Sequence, residues 1–147
     1  MILVSACLLG INCKYSGDNN NSEKLIEYLK DKEFIIACPE QLGGLSTPRD
    51  PSEIVGEGGE SILAGDGKVL TNSDKDVSYS FVRGAEETLK IAKLYNCTQA
   101  ILKEGSPSCG SSLIYDGSFS GVKVNGQGVT TSLLRQHGIS VISEKDI

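Results

Sequence analysis

The chain has no run of basic residues, a single histidine, and no apolar stretch approaching the ~20 residues that a membrane span needs. With 14 Lys+Arg against 19 Asp+Glu and a net charge of −5, it offers no electrostatic footprint for phosphate-driven nucleic-acid binding. A small-molecule partner is expected instead. The dense cysteine framework of a small secreted domain is missing too: five cysteines, an odd number, lie scattered at positions 7, 13, 38, 97 and 109. That pattern suits a reduced, cytoplasmic setting, where such cysteines are metal-binding, catalytic or simply buried. The apolar start, MILVSACLLG, lacks the positive charge that opens a signal peptide and turns polar by Asn12 and Lys14, so it is expected to be a buried strand. There is no repeat, linker or low-complexity tract, and 147 residues suit one domain, 1–147.

Four short apolar runs stand out: residues 2–6, 34–37, 100–102 and, more weakly, 139–142. They read as strands buried on both faces, the pattern of a parallel sheet. Between them the spacing predicts helices. Residues 22–31 place Leu25, Ile26 and Leu29 on one face. Residues 74–95 place Val77, Phe81, Ala85, Leu89 and Ala92 on another, after a Ser73-x-x-Asp76 signal that resembles a capping box. Residues 128–136 make a third, with Gly138 as its stop. Strand and helix alternate, so the expected fold is a small doubly wound, Rossmann-like α/β domain, mainly parallel, with helices on both faces. Two segments depart from the alternation. Residues 41–73 are rich in Gly, Pro and Asp and read as a long functional or disordered loop with hairpin strands around Ala64-Gly-Asp-Gly67. Residues 115–128 read as a second small hairpin.

Cys7 follows the first strand, Cys38 follows the second, and Cys109 lies in the loop after the third. In an open parallel sheet every strand points the same way and ligands bind outside the carboxyl ends. Three thiols distant in sequence are therefore expected at one edge of the fold. Cys109 sits in GSPSCG, residues 105–110, where no neighbour offers a core, so it reads as presented rather than buried. Cys7 and Cys38 are equally explained as small hydrophobes capping a strand, Cys97 as a packing residue, and Cys13 as a fourth ligand, a resolving thiol or a surface residue. Zinc would want a fourth ligand, and His137 lies at the end of the third helix, far from these loops. An iron–sulfur cluster suits three thiolates better, because three leave one iron open. The compact C-x2-C-x2-C run of ferredoxins is absent.

The remaining polar residues of these loops carry two readings each. Glu40, in Cys38-Pro39-Glu40, is either a carboxylate aimed by the proline or a solvated surface group. Ser106 and Ser108 either donate to a substrate or to cluster sulfur, or do ordinary turn chemistry. Arg49 either contacts a substrate carbonyl or pairs with Asp50 or Glu53; Lys103 and Glu104 are either substrate-binding or a surface pair. Gly126-Gln127-Gly128 before a helix is a weak phosphate-cradle signal, lacking the GxGxxG spacing.

Taken together, SACLLG at 5–10, Cys38-Pro39-Glu40 with Gly43-Gly44-Leu45 and Pro48-Arg49, Lys103 with Ser106-Pro107-Ser108-Cys109-Gly110, Tyr115-Asp116-Gly117 and Gly128-Val129-Thr130 resemble the thiouracil desulfurase family, in its order and through nearly the whole chain. The resemblance implies a [4Fe-4S] cluster held by Cys7, Cys38 and Cys109, with the free iron taking the sulfur of a thiolated pyrimidine. It implies Glu40 as the group that moves protons in a non-redox hydrolysis and Ser106 as one that orients substrate or water. Two other readings compete: a non-catalytic iron–sulfur carrier of electrons or sulfur, and a thiol-only module in which Cys7 and Cys13 exchange a disulfide.

Overall fold

The structure is a computed structural model describing residues 1–147. The four apolar runs become strands β1 (Ile2–Ser5), β2 (Phe34–Ala37), β5 (Gln99–Leu102) and β8 (Ser140–Ser143). They pair in parallel in the order β2-β1-β5-β8. Period-two alternation then sorts the side chains. Leu3, Ala100, Leu102 and Val141 enter one core with Leu89, Ala92 and Leu134, while Ile2, Val4 and Ile101 enter a second with Leu25 and Leu29. Helices α4 (Ser78–Leu94) and α5 (Val129–Gln136) therefore cover one face, and α1 (Glu23–Leu29) covers the other. This is the expected doubly wound α/β fold.

Several expectations are corrected. β2 is an edge strand, and Phe34 and Ile36 are 40% and 44% exposed, so it is not buried on both faces. Ile26 is exposed as well, leaving Leu25 and Leu29 to anchor α1. The Ser73-x-x-Asp76 capping box does not form. Asp74 takes a left-handed φ of 62° that no helix continues, Ser73 donates its hydroxyl to Asp50, and Asp76 accepts the Ser78 N–H at 2.9 Å to start α4 later. Residues 41–73 are not a loop. They hold the end of α2 (Pro39–Leu42), then β3 (Ser52–Val55), α3 (Gly59–Leu63) and β4 (Lys68–Thr71). β3 and β4 pair antiparallel across α3, so Gly65 ends a helix instead of centring a tight turn. The expected second hairpin forms between β6 (Leu113–Tyr115) and β7 (Lys123–Asn125).

The topology fixes where a ligand can sit. From β1 the chain crosses through α1 to β2 on one side; from β5 it crosses through α5 to β8 on the other. The loops leaving β1 and β5 diverge, which opens a crevice at their carboxyl ends.

Candidate active site

All three strand-end thiols line one cavity of about 410 Å³ at that crevice, and Cys13 joins them. Cys7 lies in a 3-10 turn, Ala6–Leu9, closed by Gly10 in the left-handed conformation. Cys38 is the N-cap of α2, with Pro39 at the first helical position. Cys109 is only 5% exposed and belongs to the core under α4 and α5, so the expectation that it is presented is overturned: its polar neighbours in sequence fold around it rather than away from it.

These thiols differ chemically. The thiol of Cys13, itself buried, faces those of Cys7 and Cys38, and the Cys13 carbonyl accepts the Cys38 S–H at 3.8 Å. The Cys13 thiol is the main reason Cys7 is lowered to about 7, with help from the Asn20 amide 3.4 Å away, against the opposing effect of burial. It likewise lowers Cys38 to about 6, again against burial and with help from the Gln41 N–H. The same two neighbouring thiols, Cys38 first, push Cys13 strongly up, and burial adds to it. Burial pushes Cys109 up to about 12, although the hydroxyls of Ser5 and Ser108 at 3.5 and 3.6 Å partly offset it.

The Cys109 loop is held from both ends by groups that sequence reasoning passed over or read otherwise. Glu104 neither binds substrate nor pairs with the Lys103 ammonium through its carboxylate: its Oε1 accepts the N–H groups of Ser111, Ser112 and Leu113, and Oε2 the Ser111 hydroxyl. Burial pushes this carboxyl up, but those donors outweigh it and hold it below the usual carboxylate range. The N-terminus of α5 does the rest: Gly128, Val129 and Thr130 donate their N–H groups to the carbonyls of Gly110, Pro107 and Ser108, and the Thr131 hydroxyl bonds the Cys109 carbonyl. So Gly126-Gln127-Gly128 cradles a peptide loop, not a phosphate. A Cβ on Gly128 would lie 2.4 Å from the Ser108 carbonyl carbon, which is why glycine stands there.

Glu40 is an inward carboxylate, not a solvated one. Its Oε1 accepts from Arg49 Nε at 3.0 Å and its Oε2 from the Ser108 hydroxyl at 2.8 Å, which in turn meets the Ser106 hydroxyl at 2.9 Å. Arg49 pairs with neither Asp50 nor Glu53. Besides Glu40 it donates to the carbonyls of Cys13 and Ser46 and the Thr47 hydroxyl, so its guanidinium is taken up by protein groups. It positions Glu40 and ties α2 to the Cys13 loop. Ser106 accepts the Ser108 and Cys109 N–H groups, so it shapes the turn, and it also lines the cavity. Lys103 lines the cavity too, but its ammonium bridges Glu144 at 3.1 Å and the Glu104 carbonyl. Cys97 is buried in the core, and His137 closes α5 away from the cavity. Sequence reasoning missed Ser5, Asn20 and the meeting of Cys13 with Cys7 and Cys38; Cys13 was at least visible as a thiol six residues from Cys7.

No set of three His, Cys, Asp or Glu side chains converges to hold a single metal ion. The thiol set suits a polynuclear centre better, because each cysteine of a cluster binds a different iron. A doubly wound α/β protein with a cavity at its switch point, walled by thiols and holding a carboxylate bonded to a pair of hydroxyls, has a site of the kind that takes a small molecule, with thiols placed where a cofactor could be bound.

The chain belongs to the 2-thiouracil desulfurase family, whose model matches residues 2–146. It is 52% identical over 147 residues to "Uncharacterized protein YbbK" of Bacillus subtilis (strain 168), covering 100% of this chain and 97% of that one. Among solved structures it resembles the [4Fe-4S]-dependent thiouracil desulfidase TudS, with a TM-score of 0.87 and 44% identity over 99% of this chain and 91% of that chain.

Proposed function

We propose that this protein removes sulfur from thiolated pyrimidines, 2-thiouracil or a related thiouracil or thiouridine, by non-redox hydrolysis, with a [4Fe-4S] cluster held by Cys7, Cys38 and Cys109. The observation that carries this reading is the meeting of those thiols with Glu40, Ser108 and Ser106 in one cavity. Membership in the desulfurase family supports it. The Cys13 thiol faces two of the ligands.

When bound, the cluster supplies an iron with an open position, a Lewis acid for a thiocarbonyl. The protein does the remainder. Glu40 Oε2 accepts the proton of a water that attacks the thiocarbonyl carbon, a general-base role for which the Arg49 bond at 3.0 Å fixes the carboxylate's direction. Ser108 and Ser106 pass hydrogen bonds along the cavity floor and orient substrate or water. A C–O bond forms, the C–S bond breaks, and the net reaction takes thiouracil and water to uracil and sulfide with no change of oxidation state.

The substrate is a small molecule: the cavity holds about 410 Å³, and a net charge of −5 disfavours a polyphosphate partner. No helix is long and apolar enough to cross a membrane. All five cysteines are free thiols, which supports a cytoplasmic, reducing setting. Residues 1–147 act as one domain, because the cavity draws its walls from both halves of the chain.

Anaerobically purified holo-protein should release sulfide from 2-thiouracil. Glu40→Gln should keep its iron and lose roughly 10²–10⁴-fold in turnover, the usual worth of a positioned general base. An intact four-iron cluster with no sulfide release from any thiouracil or thiouridine would point to a carrier; full turnover in Glu40→Gln would remove the base.

A further inference from the structure

We propose that Phe119 is the surface on which the substrate's pyrimidine ring stacks, and that Glu53 is the positioning residue that holds it there; the proposal rests on the desulfurase reading of the cavity. Phe119 sits between β6 and β7 with a φ of 57°. A bulky side chain rarely adopts that conformation, and residues held in it cluster at ligand clamps and active sites. No core burial compensates: the ring joins none of the hydrophobic clusters and stays 38% exposed, lining the cavity.

What keeps it there is a buried carboxylate. Glu53, on β3 and only 8% exposed, directs Oε1 at the loop and accepts the N–H groups of Gly117 at 3.0 Å and Phe119 at 3.2 Å. Asp116 braces the loop from inside by accepting the Ser118 N–H and hydroxyl at 2.9 and 2.6 Å. Charge-assisted bonds of this kind are strong enough to hold a strained residue. Placing a buried acid under a loop tip makes sense if the tip's side chain has work to do.

The other aromatics of the cavity, Tyr15 and Tyr115, each carry a cation. Lys14 lies over Tyr15 at 5.6 Å and Lys123 over Tyr115 at 5.4 Å, whereas no cation covers Phe119. Of the three cavity aromatics, Phe119 is the one over which no cation would have to move for a planar ring to stack. Stacking fixes the plane of the ring in the cavity that Glu40, Ser106 and Ser108 also line.

The test compares 2-thiouracil with 5,6-dihydro-2-thiouracil, which keeps the thiocarbonyl and both N–H groups but loses the aromatic face. In holo-protein, Phe119→Ala should lower kcat/KM for 2-thiouracil about ten-fold, mostly through KM, and change the dihydro compound less than about two-fold, as expected for one base–aromatic stack. Phe119→Tyr should restore the wild-type value. An equal loss on both compounds, or none on either, with iron content and melting temperature unchanged, would overturn the stacking role. Glu53→Ala should reproduce the KM effect without adding to it in the double variant, and Glu53→Gln, which keeps an acceptor, should rescue it; a normal KM in Glu53→Ala would overturn the positioning role. If the wild-type protein desulfurates neither compound, the desulfurase reading fails by itself, and calorimetric titration of holo-protein with uracil still decides the stacking question, with about ten-fold weaker binding expected in Phe119→Ala.

Discussion

Cys13 sets the chemistry of its neighbours while remaining a thiol itself. Because its thiol is the main influence lowering Cys7 to about 7 and Cys38 to about 6, both ionise well below the ordinary value of 9.0. The sign gives a direct prediction for metal-free protein. The thiolate is the reactive form, so alkylation by iodoacetamide at these two cysteines should persist as pH falls and fade only through about 7 and about 6. Cys109, raised by burial to about 12, should stay unmodified across that range. In Cys13→Ala the two profiles should move up toward 9.0, and site-resolved mass spectrometry would show it; unchanged profiles would remove Cys13 from this role. At this scale the sequence marked the residue types well. Glu40 after Cys38-Pro39 was visible as an aimed carboxylate, but its partners were not: Arg49 is nine residues away and Ser108 sixty-eight, and only folding brings them within hydrogen-bond reach.

Helix α2 is four residues long, too short to be stable by itself, yet it carries Glu40 and is capped by Cys38. It is fixed by close approach to α4, where Gly43 and Gly84 face each other. A Cβ on Gly84 would lie 2.0 Å from the Pro39 carbonyl oxygen, and one on Gly43 the same distance from that of Ser80. Gly84→Ala should therefore cost about 1–3 kcal/mol by overpacking, read as a lowered urea midpoint, and should displace the element that aims Glu40. Ile26→Ala on α1 should stay within about 0.5 kcal/mol, because Ile26 is exposed. A silent Gly84→Ala would mean that α2 is not held by this contact. The difference between these elements also explains what could be read beforehand. The long periodic helix α4 and the apolar strands announce themselves, whereas α2 and α3 exist only through packing. The edge position of β2 was equally hidden, since Phe-Ile-Ile-Ala reads like any central strand until its neighbours are known.

The whole molecule works by bringing three distant segments to one sheet edge, so its cofactor and its stability should be linked. A group bound only by the folded chain stabilises it by mass action. Anaerobic removal of iron from holo-protein should lower the melting temperature by several degrees, and reconstitution should restore it; identical melting of the two forms would argue that the cluster does not bridge the strand ends. The alternation of strands and helices, the parallel sheet, and the delivery of Cys7, Cys38 and Cys109 to its carboxyl end could be read along the chain, because apolar periodicity and the place of a residue after a strand are local properties. The burial of Cys109, the meeting of Cys13 with Cys7 and Cys38, the bond from Arg49 to Glu40 and the bond from the Phe119 N–H to Glu53 come from the packed fold. Each of those depends on through-space distances between residues far apart in the chain, and burial and hydrogen bonding are set by those distances alone.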